Sequence, residues 1–253
     1  EGASEFLSRG IPTLVEKPLA GSADEASKLV SLAKQNQTIL QVGHVERFNP
    51  AMVTARKLCG LPKYIRAERV SPFPFRSTDI GVVHDLLIHD IDLVLDLVRS
   101  DVESVQAFGA SLMSPLEDMI NARLTFRNGC IVDLTASRVH PVARREMQIF
   151  SAIGCVNVDF AARTVTNYAP SEHLLFGKSP VELAQQPALV LHVELEHEDI
   201  AHGVAALVVD AACLVHHIRV EEEALALLAG DARDLPRALD VTAAGEHPLH
   251  RTA

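Results

Sequence analysis

The sequence predicts a small parallel α/β unit followed by a larger α+β unit, and three patterns carry that reading. Residues 11–45 run strand, helix, strand with short links, the pattern of a βαβ unit on a parallel sheet. From Ile120 to Ala136, apolar and polar residues alternate on both sides of Asn128-Gly129, which is the pattern of an antiparallel hairpin. Between them, Val83, Leu86, Leu87, Ile91, Val94, Leu95 and Val98 recur at helical spacing and give a wide apolar face. The division falls at residue 46: an α/β unit over residues 1–46, then an α+β unit over 47–253 with a mainly antiparallel sheet covered by helices.

Each element follows from local chemistry. Glu1–Arg9 reads as the end of a helix that Gly10 terminates, and a domain seldom starts there, so the sequence reads as a fragment lacking an N-terminal piece. Ile11–Val15 is a short strand closed by Glu16-Lys17-Pro18. Ser22 and Glu25 have capping-box spacing and open a helix with Ala26, Leu29, Val30 and Ala33 on one face. Thr38–Val45 is a second buried strand; a helix over Ala51–Cys59 then leads to a strand near Tyr64–Val70. Asn128-Gly129 supplies the positive φ values of a type I′ turn, and a second hairpin is expected around Gly154. Leu189–Leu195 alternates again, and helices are expected over Val204–His216 and Glu221–Leu228 before a frayed tail. Met119–Ser137 and Met147–Phe160 carry more alternating Ile, Val, Leu and Phe than one helical layer would cover. The exposed sheet face is therefore expected to join copies of the chain, as a dimer or tetramer.

A net charge of −10 excludes nucleic acid as a bulk partner, since phosphate binding needs clustered Lys and Arg. No apolar run reaches membrane-spanning length, and no basic-then-apolar leader is present. Cys59, Cys130, Cys155 and Cys213 form no CxxC pair and read as reduced, buried thiols of a cytoplasmic protein.

The chemistry concentrates at two places. Asp85, His89, Asp92 and Asp96 fall at i, i+4, i+7 and i+11, one polar stripe on a largely apolar helix. Burying even a neutral polar group without a partner costs roughly 2–7 kcal/mol, so a substrate, a metal or a structural partner must face the stripe. It reads as a catalytic face, with Asp96 structural. Lys17 projects from the end of a parallel strand, where α/β sheets place ligands, and there a lysine positions a substrate hydroxyl or lowers its pKa. A surface lysine in an ordinary turn is the plainer alternative. His84, Asp85, His89 and Asp92 also have the composition of a carboxylate–imidazole metal site. His192, Glu194, Glu196 and His197 read as solvent-facing strand positions, and the adjacent His216 and His217 diverge around a helix.

Leu14-Val-Glu-Lys-Pro-Leu-Ala20, Gln41-Val-Gly-His-Val-Glu-Arg-Phe-Asn-Pro50 and Asp85-Leu-Leu-Ile-His89, in that order, resemble the Gfo/Idh/MocA oxidoreductase family, from residue 1 to about residue 162. The resemblance implies a Rossmann domain holding NAD or NADP, of which residues 1–46 are the C-terminal remnant, and a second domain that lines the substrate site. It implies that Lys17 is the catalytic lysine and His89 the proton acceptor, with Asp85 orienting substrate or imidazole. Glu16, Lys17 and Arg47 would approach the nicotinamide end of the cofactor, and Lys17, Asn49, Asp85 and His89 the substrate, with no metal. The wording around Gly43–Pro50, with Asp79-Ile-Gly81, most resembles the branch oxidising the 3-hydroxyl of UDP-N-acetylglucosamine-type sugars.

Alcohol oxidation needs a base for the hydroxyl proton and a cation for the developing alkoxide, which His89 and Lys17 supply. One departure stands out: among 13 glycines there is no GxGxxG, the loop that brings a pyrophosphate to a helix N-terminus. Two other functions therefore stay open. One is a non-catalytic oligomerisation or sugar-binding module, and the other is a metal-dependent hydrolase or isomerase using the Asp85/His89 helix.

Overall fold

Residues 2–76, 79–176, 179–185 and 191–197 are described by the computed structural model of this chain. The N-terminal unit is small. Helix α1 (Gly2–Ser8) ends at Gly10, whose φ of +71° is the left-handed conformation expected of a terminating glycine. Strands β1 (Thr13–Val15) and β2 (Leu40–Val42) pair in parallel, and α2 (Ala23–Gln35) crosses between them. Ser22 caps α2, its hydroxyl accepting from Glu25 N at 3.3 Å. The Glu25 carboxylate accepts from Gly21 N instead of from the cap residue itself. Leu7, Ala26, Val30, Ala33, Leu40 and Val42 form the buried cluster of this unit.

A 3₁₀ turn (Val45–Phe48) leads from β2 into α3 (Pro50–Leu58), with Pro50 at the first helical position and Asn49 capping Ala51 N. The main sheet has eight strands in the order β10-β9-β8-β7-β3-β6-β5-β4. These are β3 (Pro62–Val70), β4 (Val102–Ala110), β5 (Met119–Phe126), β6 (Ile131–Ser137), β7 (Arg144–Ser151), β8 (Gly154–Asp159), β9 (Thr164–Pro170) and β10 (Leu191–His197). Every pairing is antiparallel except β3 with β6. Helix α4 (Ile88–Val98) and α3 lie on one face, and two short helices, α5 (Glu172–Phe176) and α6 (Pro180–Gln185), follow β9. The helices expected beyond residue 199, Cys213, His216 and His217 lie outside the described residues, as do the side chains of β10.

Three sequence expectations change here. The turn between β5 and β6 has positive φ only at Gly129, so it is not type I′. Gly129 N donates to Phe126 O, and Asn128 instead uses its side chain, accepting from Cys130 N and donating to Val98 O. Second, most of the alternating apolar residues do not face outward, although Ile131 and Phe150 are exposed. Ile120, Leu124, Val132, Leu134, Ile149 and Val156 are buried with Ile91, Leu93 and Val94 of α4, each such side chain contributing about 1.5–3 kcal/mol. The opposite face carries polar pairs, among them Arg123 with Asp133, Tyr64 with Asp133, and Thr135 with Asn121. Third, the helix with the polar stripe is not one regular α-helix. Val83–Leu87 forms a π turn, in which Ile88 N donates back to Val83 O, and only then does α4 begin.

Candidate active site

The end of β1 meets the start of the π turn. Lys17 Nζ donates to Asp85 O at 2.9 Å and lies 3.4 Å from His84 O, with the Asp85 carboxylate 3.8 Å away. The Lys17-Pro18 peptide is cis. Burial lowers the Lys17 pKa below the ordinary lysine value, against the opposing pull of Asp85 and Glu16. Glu16 is exposed and packs its carboxylate on Gly43 at the end of β2, where an added Cβ would lie 3.0 Å from Oε2. The two parallel strands thus deliver Glu16, Lys17, Gly43 and His44 to one edge.

His89 stands one turn beyond Asp85. Its Nδ1 is buried with no hydrogen-bond partner, a costly arrangement. Burial, reinforced by the positive fields of Arg69, Lys17 and His44, holds the imidazole pKa down at about 3. At neutral pH His89 is therefore a neutral ring with a lone pair to offer.

The remaining carboxylates of the stripe face the protein. Asp92 accepts two hydrogen bonds from Arg47, at 2.7 and 2.5 Å, with His44 Nδ1 at 3.7 Å. Asp96 lies 2.6 Å from Arg56 on α3, the structural part expected of it. Asp85, His89, Asp92 and Asp96 do not share one ligand-facing surface; only the first two remain at the β1 edge. Asn49 uses its amide as a cap and as a bridge, donating to Glu46 Oε2 and Phe160 O, both at 3.2 Å. Arg47 thus bonds Asp92, and Asn49 bonds Glu46 and Phe160.

Sequence reasoning did not single out Arg69 and Asp90. Both are buried, joined by two hydrogen bonds, and Glu46 adds a third to Arg69. Burial alone would weaken the guanidinium's charge, but Asp90 and Glu46 more than offset it and raise its pKa. A signal was present: Ile65, Ala67 and Arg69 share one strand face by period two, so an inward arginine required a buried carboxylate. Among the described residues, no three His, Cys, Asp or Glu side chains are grouped to hold a metal ion. Nor is any helix there long and apolar enough to cross a membrane.

Residues 1–44 match the oxidoreductase family with an NAD-binding Rossmann fold, and residues 55–156 match the GFO/IDH/MocA C-terminal domain. Together with the site geometry, a solved structure decides the matter. UDP-N-acetylglucosamine 3-dehydrogenase from Acidithiobacillus ferrooxidans superposes with a TM-score of 0.73 at 30% identity, over 90% of this chain and 73% of that one. The chain belongs to the Gfo/Idh/MocA family. By sequence, this Gfo/Idh/MocA chain is 34% identical to the same Acidithiobacillus enzyme over 81% of its own length and 66% of the relative's. It is 31% identical to scyllo-inositol 2-dehydrogenase (NAD(+)) from Bacillus subtilis, over 52% and 43% respectively. It thus spans less than two thirds of the length of these two relatives. The short parallel sheet of the family's Rossmann part and the mainly antiparallel sheet of its C-terminal part are both present.

Proposed function

We propose that this chain carries the reacting edge of an enzyme that oxidises a secondary hydroxyl of a sugar or nucleotide sugar with NAD, NADP being the second choice. The 3-hydroxyl of a UDP-N-acetylglucosamine-like substrate is favoured. The observation that carries the reading is Lys17, held at 2.9 Å by the carbonyl of Asp85, its charge acting on a half-buried His89 whose Nδ1 has no partner. The 34% identity to a UDP-N-acetylglucosamine 3-dehydrogenase supports the substrate class.

The residues present fit the reacting end of a nicotinamide, since the half-buried Lys17 stands just past the end of two parallel strands and its charge acts on the His89 ring, whose Nδ1 has no partner. When bound, the cofactor supplies the hydride acceptor. The protein residues do the rest. Lys17 donates toward the substrate oxygen and stabilises its developing negative charge. His89, neutral at physiological pH, accepts the hydroxyl proton. Asp85 holds Lys17 and orients the hydroxyl, and Glu16 and Arg47 flank the nicotinamide end. Asn49 borders the sugar. In this reading residues 1–46 belong to the Rossmann part, residues 47–253 form the substrate and oligomerisation part, and the protein works in the cytoplasm as a dimer or tetramer.

A second reading, a non-catalytic sugar-binding or oligomerisation module, draws on the absence of GxGxxG from these 253 residues. The metal-dependent alternative is disfavoured because Asp92, which it would need, is bonded to Arg47. Reduction of NAD by a panel of UDP-sugars and inositols, measured for this chain and for one extended upstream, separates the first two. Turnover with UDP-N-acetylglucosamine supports the dehydrogenase. Sugar binding without turnover in both chains refutes it.

A further inference from the structure

The π turn that receives Lys17 is held at both ends. Downstream, α4 is locked by Arg69 on Asp90 and by Arg47 on Asp92. Upstream, the connection between β4 and β5 grips the chain just before the turn. Glu117 O accepts from Val82 N at 3.0 Å, and the Glu117 carboxylate accepts from Val83 N at 3.3 Å. Gly81 makes this approach possible, because a Cβ there would overlap the Glu117 carboxylate. The connection is itself tied down. Asp118 accepts from the backbone of Leu112, Met113 and Ser114 and from Arg138 Nε, while Arg138 Nη1 reaches Ile80 O at 2.8 Å. Arg138 and Asp118 are 1% and 0% exposed, so this anchor is rigid.

A π turn places one more residue between two fixed points than an α-turn does. Lys17 donates to the carbonyls of this turn, with Nζ 2.9 Å from Asp85 O and 3.4 Å from His84 O. We infer that Glu117 is a positioning residue for Lys17: by pinning Val83 N it keeps the π turn in place and its carbonyls aimed at the Lys17 amine. Glu117 sits in the second unit, far from Lys17 in sequence, so the β4–β5 connection takes part in setting the amine that follows β1. It deepens the dehydrogenase reading, on which the value of a placed Lys17 rests.

The test reads the amine directly, without substrate or cofactor. Acetylation of this chain by an N-hydroxysuccinimide ester, followed by peptide mass spectrometry, gives the rate at Lys17 relative to exposed Lys28. Glu117→Gln keeps an acceptor for Val83 N and should leave the ratio unchanged. Glu117→Asp keeps the charge but withdraws the oxygen by one methylene. It should raise the ratio about fivefold, equivalent to ~1 kcal/mol or one ordinary hydrogen bond. Gly81→Ala, which displaces the carboxylate, should act like Glu117→Asp. An unchanged ratio in Glu117→Asp overturns the inference, as does an equal rise in Glu117→Gln. A rise accompanied by loss of the cooperative unfolding transition marks general loosening and also overturns it. If the acetylation pattern holds but Lys17→Ala turns over normally in the upstream-extended chain, the dehydrogenase reading alone fails.

Discussion

Arg69 and Asp90 face each other across two hydrogen bonds of 3.0 and 2.8 Å, with side chains 4% and 3% exposed. This pair ties β3 to the helix that bears His89. Removing one partner leaves an uncompensated buried charge, so Asp90→Ala is expected to cost about 3–5 kcal/mol. Replacing both, as in Arg69→Met with Asp90→Leu, should cost clearly less. Urea unfolding of the wild type and the two variants measures this, and a loss in the double variant as large as that in Asp90→Ala would show that the unpaired Arg69 charge does not carry the cost.

Lys17→Ala and His89→Ala should each lower kcat by roughly 10²–10⁴-fold in a chain that turns over, the usual worth of acid–base assistance. Both residues act on the hydroxyl and not on the remote parts of a sugar, so KM should move far less. Steady-state kinetics with near-wild-type kcat in either variant would remove that residue from the mechanism.

His89 should make the fold acid-sensitive above the range where carboxylates titrate. Its folded pKa, about 3, lies below the ordinary 6.5. As pH falls through this window the unfolded chain takes up a proton that the folded chain refuses. Stability is therefore fully present above about pH 6.5 and is lost on acidification, by at most about 1.4 kcal/mol per pH unit. His89→Gln removes the proton uptake and should flatten the difference between pH 6.5 and 4.5. Parallel stability–pH curves for the two proteins would show that His89 is not held neutral.

Gly154 closes the β7–β8 hairpin at φ +134°, and an added Cβ would overlap Tyr168 O on β9. Gly154→Ala should cost at least about 1–3 kcal/mol through backbone strain and displacement of β9. A thermal midpoint within a degree of wild type would contradict this close approach.

Cofactor binding by this polypeptide should be weak. The sequence holds no GxGxxG, the loop that presents backbone N–H groups to a pyrophosphate. Calorimetry with NADH should show no saturation below about 1 mM, a binding free energy weaker than about −4 kcal/mol. A micromolar constant would place the phosphate contacts elsewhere on the chain.

Much of this architecture was legible from local pattern alone, because capping, turn glycines and the periods of two and 3.6 residues act over a few residues. Ser22 with Glu25, Gly10, Asn128-Gly129 and the alternation of β5 and β6 are such cases. The family resemblance added Lys17, Asp85 and His89 as a set, and chain folding brings the amine of Lys17 onto the backbone of Asp85. Tertiary structure alone decided which carboxylate meets which cation. Along the π turn and helix, Asp85, Asp90, Asp92 and Asp96 are alike in sequence, yet they pair with Lys17, Arg69, Arg47 and Arg56 from four separate segments. Helical periodicity likewise concealed the π turn. Its extra residue is accommodated by Glu117, Arg138 and Lys17, all distant in sequence, and a pattern confined to residues 81–98 holds no record of them.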